Sequence, residues 1–118
     1  MIDIGSRARG LPAPPHVVWR SLVEPRRPGT RPWLTLLPDE VDPAVVAAEE
    51  HHHVVWSSLW PNRPDVRVHF ALTATEDGGT SLRFTLLSPV EPDASATGHL
   101  RRRLNRLLFA DLRFSYGQ

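Results

Sequence analysis

No cysteine occurs in the 118 residues. Disulfides, thiol nucleophiles and thiolate metal sites are therefore excluded. Lysine is missing as well, since all 14 basic residues are arginine. Schiff-base and lysine-acid chemistry are excluded with it. No apolar run approaches 18 residues, so no helical membrane span is expected. The first ten residues, MIDIGSRARG, hold no apolar segment of the signal-peptide kind, and a cytoplasmic soluble protein is the default expectation. Net charge is only +1, too small a field to favour nucleic acid or a membrane surface. No G-x-S-x-G, phosphate-binding loop, dinucleotide glycine motif or zinc signature is present, and no cofactor is implied.

What is present reads as one domain. Residues 2–8 alternate, with Ile2, Ile4 and Ala8 on one side, and predict a first strand. Pro14-Pro15 followed by Val18, Trp19 and Leu22 predicts a short helix over Pro15–Val23, closed by Pro25, Pro28 and Gly29. Such a helix is too short to stand alone, so Trp19 and Leu22 must dock. Trp33–Leu37, between Pro32 and Pro38, reads as a strand. Ala44–Glu50 and His53–Ser58 read as two more, although Ala47-Ala48-Glu49-Glu50 also suits a helix. Arg67–Thr75 alternates, with Val66, Val68, Phe70 and Leu72 inward and His69 outward. Asp77-Gly78-Gly79 is a hairpin turn. Thr80–Leu87 alternates again, with Leu82, Phe84 and Leu86 inward and Arg83 outward.

Asp93 to Gln118 predicts a long helix, with Leu100, Leu104, Leu107, Leu108 and Leu112 at three- and four-residue spacing. At about 100° per residue its apolar arc spans roughly 220°, reaching Phe109, Phe114 and Tyr116. That is wider than one contact stripe, and implies a helix wrapped by a curved sheet. Arg102, Arg103, Arg106 and Arg113 fill the polar remainder, while Arg101 projects into the apolar arc, to snorkel to a rim or pair with a sheet acid. Gly98 lies on the same arc. It either admits a strand closely or is a helix weakness without purpose.

The order of elements, with Ala13-Pro14-Pro15-x-Val17-Val18-Trp19-x-x-Leu22, Val54-Val55-Trp56-Ser57-Ser58-Leu59-Trp60, Gly79-Thr80-Ser81-Leu82-Arg83-Phe84 and the final helix, resembles the START-like superfamily. This is the helix-grip fold of pollen-allergen-type and polyketide-cyclase-type proteins. The resemblance implies an α+β domain over residues 1–118, in which a curved antiparallel sheet grips the C-terminal helix around an elongated apolar cavity. Members hold lipids, sterols, polyketides or other hydrophobic small molecules. A minority catalyse cyclisation or dehydration, and others serve as partners of chaperones. Many carry a second short helix after the first. Here Glu24–Pro32 is unsuited to one, which either opens one end of the cavity or shrinks it.

The expected function is non-catalytic binding of a hydrophobic small molecule by a monomer or homodimer. The lining would be Trp56, Val68, Phe70, Leu72, Leu82, Phe84, Leu86, Leu104, Leu108 and Leu112. Asp111, Ser115 and Tyr116 would add polar groups. Asp111, central in the apolar arc, has three open roles: a structural pair with an Arg or Trp of the sheet, a ligand contact, or a general acid of raised pKa. The last belongs to an alternative reading, a small cyclase or aromatase in which Tyr116 donates a hydroxyl. A further alternative is a protein-interaction module with an apolar patch at Trp60. His51 and His53, on one face of a strand, suggest two metal arms with Glu49 or His69 as a third, or simply exposed surface, and no metal is assigned. The Arg101-Arg102-Arg103 run with Arg106 suggests phosphate contact, but no aromatics interleave it for base stacking, and no nucleic acid is assigned. Of Trp19, Trp33, Trp56 and Trp60, at least two are expected in the core, with Trp60 at a cavity mouth or dimer contact.

Overall fold

The structure is a computed structural model and describes residues 1–117. Its elements are β1 (Ile2–Leu11), α1 (Pro15–Val23), β2 (Val45–Glu49), β3 (His53–Trp56), β4 (Arg67–Ala74), β5 (Thr80–Ser88) and a long helix, α2, starting at Ala94 and ending at Ser115. The five strands form one antiparallel sheet in the order β1-β5-β4-β3-β2. With α2 packed against β1 and α1 against β3 and β4, this is the expected helix-grip α+β architecture.

The two central strands follow their sequence pattern. Val68, Phe70 and Leu72 pair across β4–β5 with Leu86, Phe84 and Leu82, and all six are buried. Side chains alternate across a strand, so His69 and Arg83 point outward and are exposed. The hairpin between them turns at Gly78, whose φ of 85° a side chain would strain. Its neighbour Gly79 is needed for space, because a Cβ there would stand 2.5 Å from the Leu11 carbonyl oxygen.

Helix α1 has the predicted bounds. Pro15 opens it and the Glu24 N–H closes it on the Arg20 carbonyl. Both expected docking residues serve. Leu22 is buried, and its carbonyl accepts from the Trp56 indole at 2.9 Å. Trp19 donates to the His53 carbonyl at 3.1 Å. Trp33, Trp56 and Trp60 are core residues.

Several expectations change. Trp33–Leu37 is not a strand; no helix or strand occurs between Val23 and Val45. Prolines at 25, 28, 32, 38 and 43 deprive this segment of ladder donors. It crosses the molecule as an irregular strap, anchored by the buried Trp33 and Leu34. Ile2 and Ala8 are exposed, for β1 is an edge strand whose register shifts between Asp3 and Gly5. Gly98 admits no strand; its nearest neighbour is the Arg102 guanidinium, 3.1 Å from where a Cβ would sit. The close approach is at Gly5, where a Cβ would lie 2.4 Å from the stem of Arg101. Arg101 is thus exposed and draped over β1, with no acid as partner among the described residues.

The largest local departure lies within α2. Leu107–Leu112 is π-helical, and the Arg113 N–H reaches back five residues to the Leu108 carbonyl. The wider turn slips the helical phase by about one residue. Leu100, Leu104, Leu107, Leu108 and Leu112 stay buried. Phe114, expected inside, is rotated out and is 64% exposed. Asp111 moves from the centre of the apolar arc to its edge and is half-buried.

Candidate functional site

The space between sheet and helix is filled with side chains. Trp56 stacks on Trp33 at 6.1 Å between ring centroids and meets Phe70 edge-on at 4.7 Å. Phe84 lies 6.0 Å from Phe109. Trp56, Leu86, Leu104, Leu108 and Leu112 have no exposed surface, while Phe70 and Phe84 have 1% each. These residues meet as expected, but as packed core. Four surface clefts stand out, and none is lined by a strand residue.

The best-formed cleft, about 450 Å³, opens beside α1. That is within the range of small-molecule sites, about 300–1,000 Å³. One wall is the outer face of α1, with His16, Val17, Arg20 and Ser21. The strap supplies Glu24, Arg27, Thr30, Arg31 and Trp33, and the end of α2 supplies Ser115 and Tyr116. The strap occupies the place in chain order where a second helix was missed, and that end of the molecule is open. The π-helical turn matters here, because its phase slip turns Ser115 and Tyr116 towards α1.

Tyr116 and Ser21 join the two walls. The Tyr116 hydroxyl donates to Ser21 Oγ at 2.7 Å, and Ser21 donates to the Val17 carbonyl at 3.1 Å. Burial pushes the Tyr116 phenol up to about 12, against the opposing effect of the Ser21 bond. It therefore stays protonated at neutral pH and acts as a hydrogen-bonding group. Ser115 donates to the Leu112 carbonyl at 2.5 Å. Arg31 donates to the Phe114 carbonyl at 3.1 Å and lies 5.5 Å over the Phe114 ring. Arg20 pairs with Glu24 at 3.2 Å.

Of the polar groups expected together, Ser115 and Tyr116 share this cleft and Asp111 does not line it. Asp111 makes no hydrogen bond among the described residues, so the pair with a sheet Arg or Trp does not form. Tyr116 is engaged with Ser21 rather than with Asp111.

A second polar cluster was not anticipated. Glu40, on the strap, is buried and takes two bonds from Arg103, Nε at 2.8 Å and Nη2 at 2.7 Å. The Leu37 N–H adds a bond at 2.9 Å and the Trp60 indole another at 3.2 Å. Arg103 also donates to the Thr35 carbonyl at 3.2 Å. Arg103 thus leaves the solvated face assigned to it. Trp60 is 3% exposed, so no apolar patch forms around it. The separation of 63 positions between Glu40 and Arg103 hides this pair from local pattern reading.

His51 stands in the β2–β3 turn with φ of 65°, off the strand, and does not share a face with His53. Its ring packs edge-on to Trp19 at 5.8 Å. No group of three His, Cys, Asp or Glu side chains among the described residues is placed to hold a metal. No helix among them is long and apolar enough to cross a membrane.

No family model matches the chain, and no curated protein matches it in sequence. Solved structures do match in shape. The Aha1 dimer structure from Colwellia psychrerythraea aligns at 19% identity and TM-score 0.69, covering 96% of this chain and 94% of that one. CalU16 from Micromonospora echinospora aligns at 16% identity and TM-score 0.66, covering 87% and 69%. Ara h 8.0201 aligns at 10% identity and TM-score 0.56, covering 97% of both chains. Strand order, gripped helix and these likenesses agree, and the fold of this chain is the helix-grip fold of START-like proteins.

Proposed function

We propose that this chain is a non-catalytic binder of a small molecule with an apolar body, acting as one domain in the cytoplasm, as monomer or homodimer. The site is the cleft between α1, the strap and the end of α2. The observation that carries this reading is the meeting of Ser115 and Tyr116 with the Ser21 face of α1 around about 450 Å³ of open space. The fold supports it, because the resemblance to START-like proteins implies hydrophobic guests. The filled interior moves the binding site outward from the expected cavity. Val17 and Pro25 offer apolar surface, worth about 25 cal/mol per Å² covered.

The test is a titration of the purified protein with decanol and with decanoate, followed by tryptophan fluorescence. Saturable binding of at least one probe is expected. It is lost in Ser21→Trp, which fills the cleft, while circular dichroism stays unchanged. Absence of binding by both probes, or equal binding by the filled variant, overturns the proposal.

A further inference from the structure

We propose that β2 pairs edge to edge with β2 of a second copy, so that the chain forms a weak, symmetric homodimer. The pairing is independent of the cleft and its guest. It follows from the two edges of the sheet, β1 and β2, which are built differently. At β1, Asp3, Arg7 and Arg9 are exposed, the register shifts between Asp3 and Gly5, and the stem of Arg101 lies against Gly5. Charge, irregularity and cover are the usual means by which an edge is kept from pairing. β2 reads Val45-Val46-Ala47-Ala48-Glu49, uncharged until its last residue, and all five residues are exposed. It pairs with β3 on one side, and no strand flanks its other side among the described residues. Part of its backbone N–H and C=O groups therefore faces outward without a ladder partner. The apolar edge runs further than the strand itself. The Val41 N–H donates to the Leu59 carbonyl and the Ser57 N–H to the Ala44 carbonyl, so the chain before β2 stays beside the chain after β3. Val41, Val45 and Val46 are all exposed along this edge.

Shape and charge select a second copy in antiparallel orientation. Ala47 and Ala48 are small, and let another backbone approach. With a two-fold axis at Ala47, Val46 lies across from Ala48 of the second copy, a large residue against a small one. The two ends of β2 differ in charge. Arg26 and Arg27 share a cleft with Asp42 and Pro43, just before β2 begins. Asp42 neutralises Arg26 at 2.7 Å, and Glu24 of the same cleft pairs with Arg20. Arg27 has no ion-pair partner among the described residues. At the far end, Glu50 meets His51 at 3.4 Å and Glu49 meets His53 at 3.7 Å. Histidine supplies a counter-charge only when protonated. An antiparallel copy sets the acidic end of each β2 beside the Arg27 end of the other, whereas a parallel copy sets like beside like. Pro43 and the register shift at Val46 keep the pairing short. So small an interface falls below the ~1,200 Å² of stable complexes, and a dissociation constant on the order of 100 µM is expected.

Sedimentation equilibrium of the protein alone, from about 5 µM to about 1 mM, tests the pairing. Monomer is expected at the low end and dimer at the high end, with nothing larger, because an isologous contact closes on itself. Val46→Lys, at an exposed position outside the β3 register, weakens association at least about tenfold and leaves the thermal midpoint unchanged. Glu50→Arg weakens it several-fold by setting like charges together, and adding Arg27→Glu restores it. A chain that stays monomeric throughout overturns the proposal. So does a dimer indifferent to Val46→Lys, whose contact lies elsewhere. Mass that grows beyond the dimer means that β2 joins β1 of the next copy in an open array, and overturns it too. If the double charge exchange fails to restore association, the antiparallel arrangement is wrong and the proposal falls with it.

Discussion

Two polar clusters hold the strap against α2, and they differ in completeness. At mid-helix, Glu40 accepts four bonds, two from Arg103 and one each from the Leu37 N–H and the Trp60 indole, and its side chain has no exposed surface. At the helix end, the Tyr116–Ser21 bond closes one side of an open cleft, while the exposed Arg27 guanidinium and the buried Trp33 N–H lack partners among the described residues. A saturated buried network has no capacity left for a guest and serves to fasten. An unsaturated one beside open space is what a binding site looks like before its ligand arrives.

Substitutions test this contrast, and the largest effect belongs to the fastening cluster. Arg103→Ala leaves a buried carboxylate unpaired, and is expected to cost about 3–5 kcal/mol in urea unfolding. If the loss is below about 1 kcal/mol, the cluster behaves like a surface pair. Next comes pH. Burial alone would raise the Glu40 pKa, but the bonds from Arg103, the Leu37 N–H and Trp60 outweigh it and hold the carboxyl below its ordinary 4.5. A depressed folded pKa adds stability that is complete above the unfolded value and is lost as pH falls through the folded one. Unfolding midpoints therefore decline below about pH 4.5, and Glu40→Gln, less stable at neutral pH, flattens that decline. A smaller effect belongs to the cleft. Tyr116→Phe removes the bond to Ser21 and costs about 1 kcal/mol. Smallest is Arg27→Gln, at an exposed side chain without a partner among the described residues, which is expected to leave unfolding within about 0.5 kcal/mol of the parent chain. A loss of several kcal/mol there would mean that the guanidinium is engaged after all, and would erase the contrast.

Elements whose pattern is local were legible in the residues. β4 and β5 alternate because one face is buried, and their inward residues are those the pattern named. Pro15 marks the start of α1, and Asp93 caps α2 by accepting from the Ala96 N–H at 2.7 Å. Where the reading failed, an interaction from far along the chain decided. Trp33–Leu37 has the composition of a strand, yet Trp33 and Leu34 are taken by the core while Leu37 is exposed, and no partner strand lies alongside. The wheel for α2 assumed α geometry to its end, and a π-helical turn moved Phe114 out and Asp111 aside. Of the proposed site, Ser115 and Tyr116 were named from that wheel. Arg27, Arg31 and Trp33 were not, because their place in the cleft depends on how the strap folds back.

By itself the chain determined its periodicities: which strand faces are apolar, where proline and glycine end elements, and that one long helix needs covering. These follow from side-chain spacing and backbone stereochemistry, which act within a few residues. Only the tertiary structure decided that the grip closes on solid core and that the open space lies outside it. Packing density, the pairing of Glu40 with Arg103 and the idle donors of the cleft depend on groups brought together from distant positions. No local pattern encodes whether a buried volume is filled or left open.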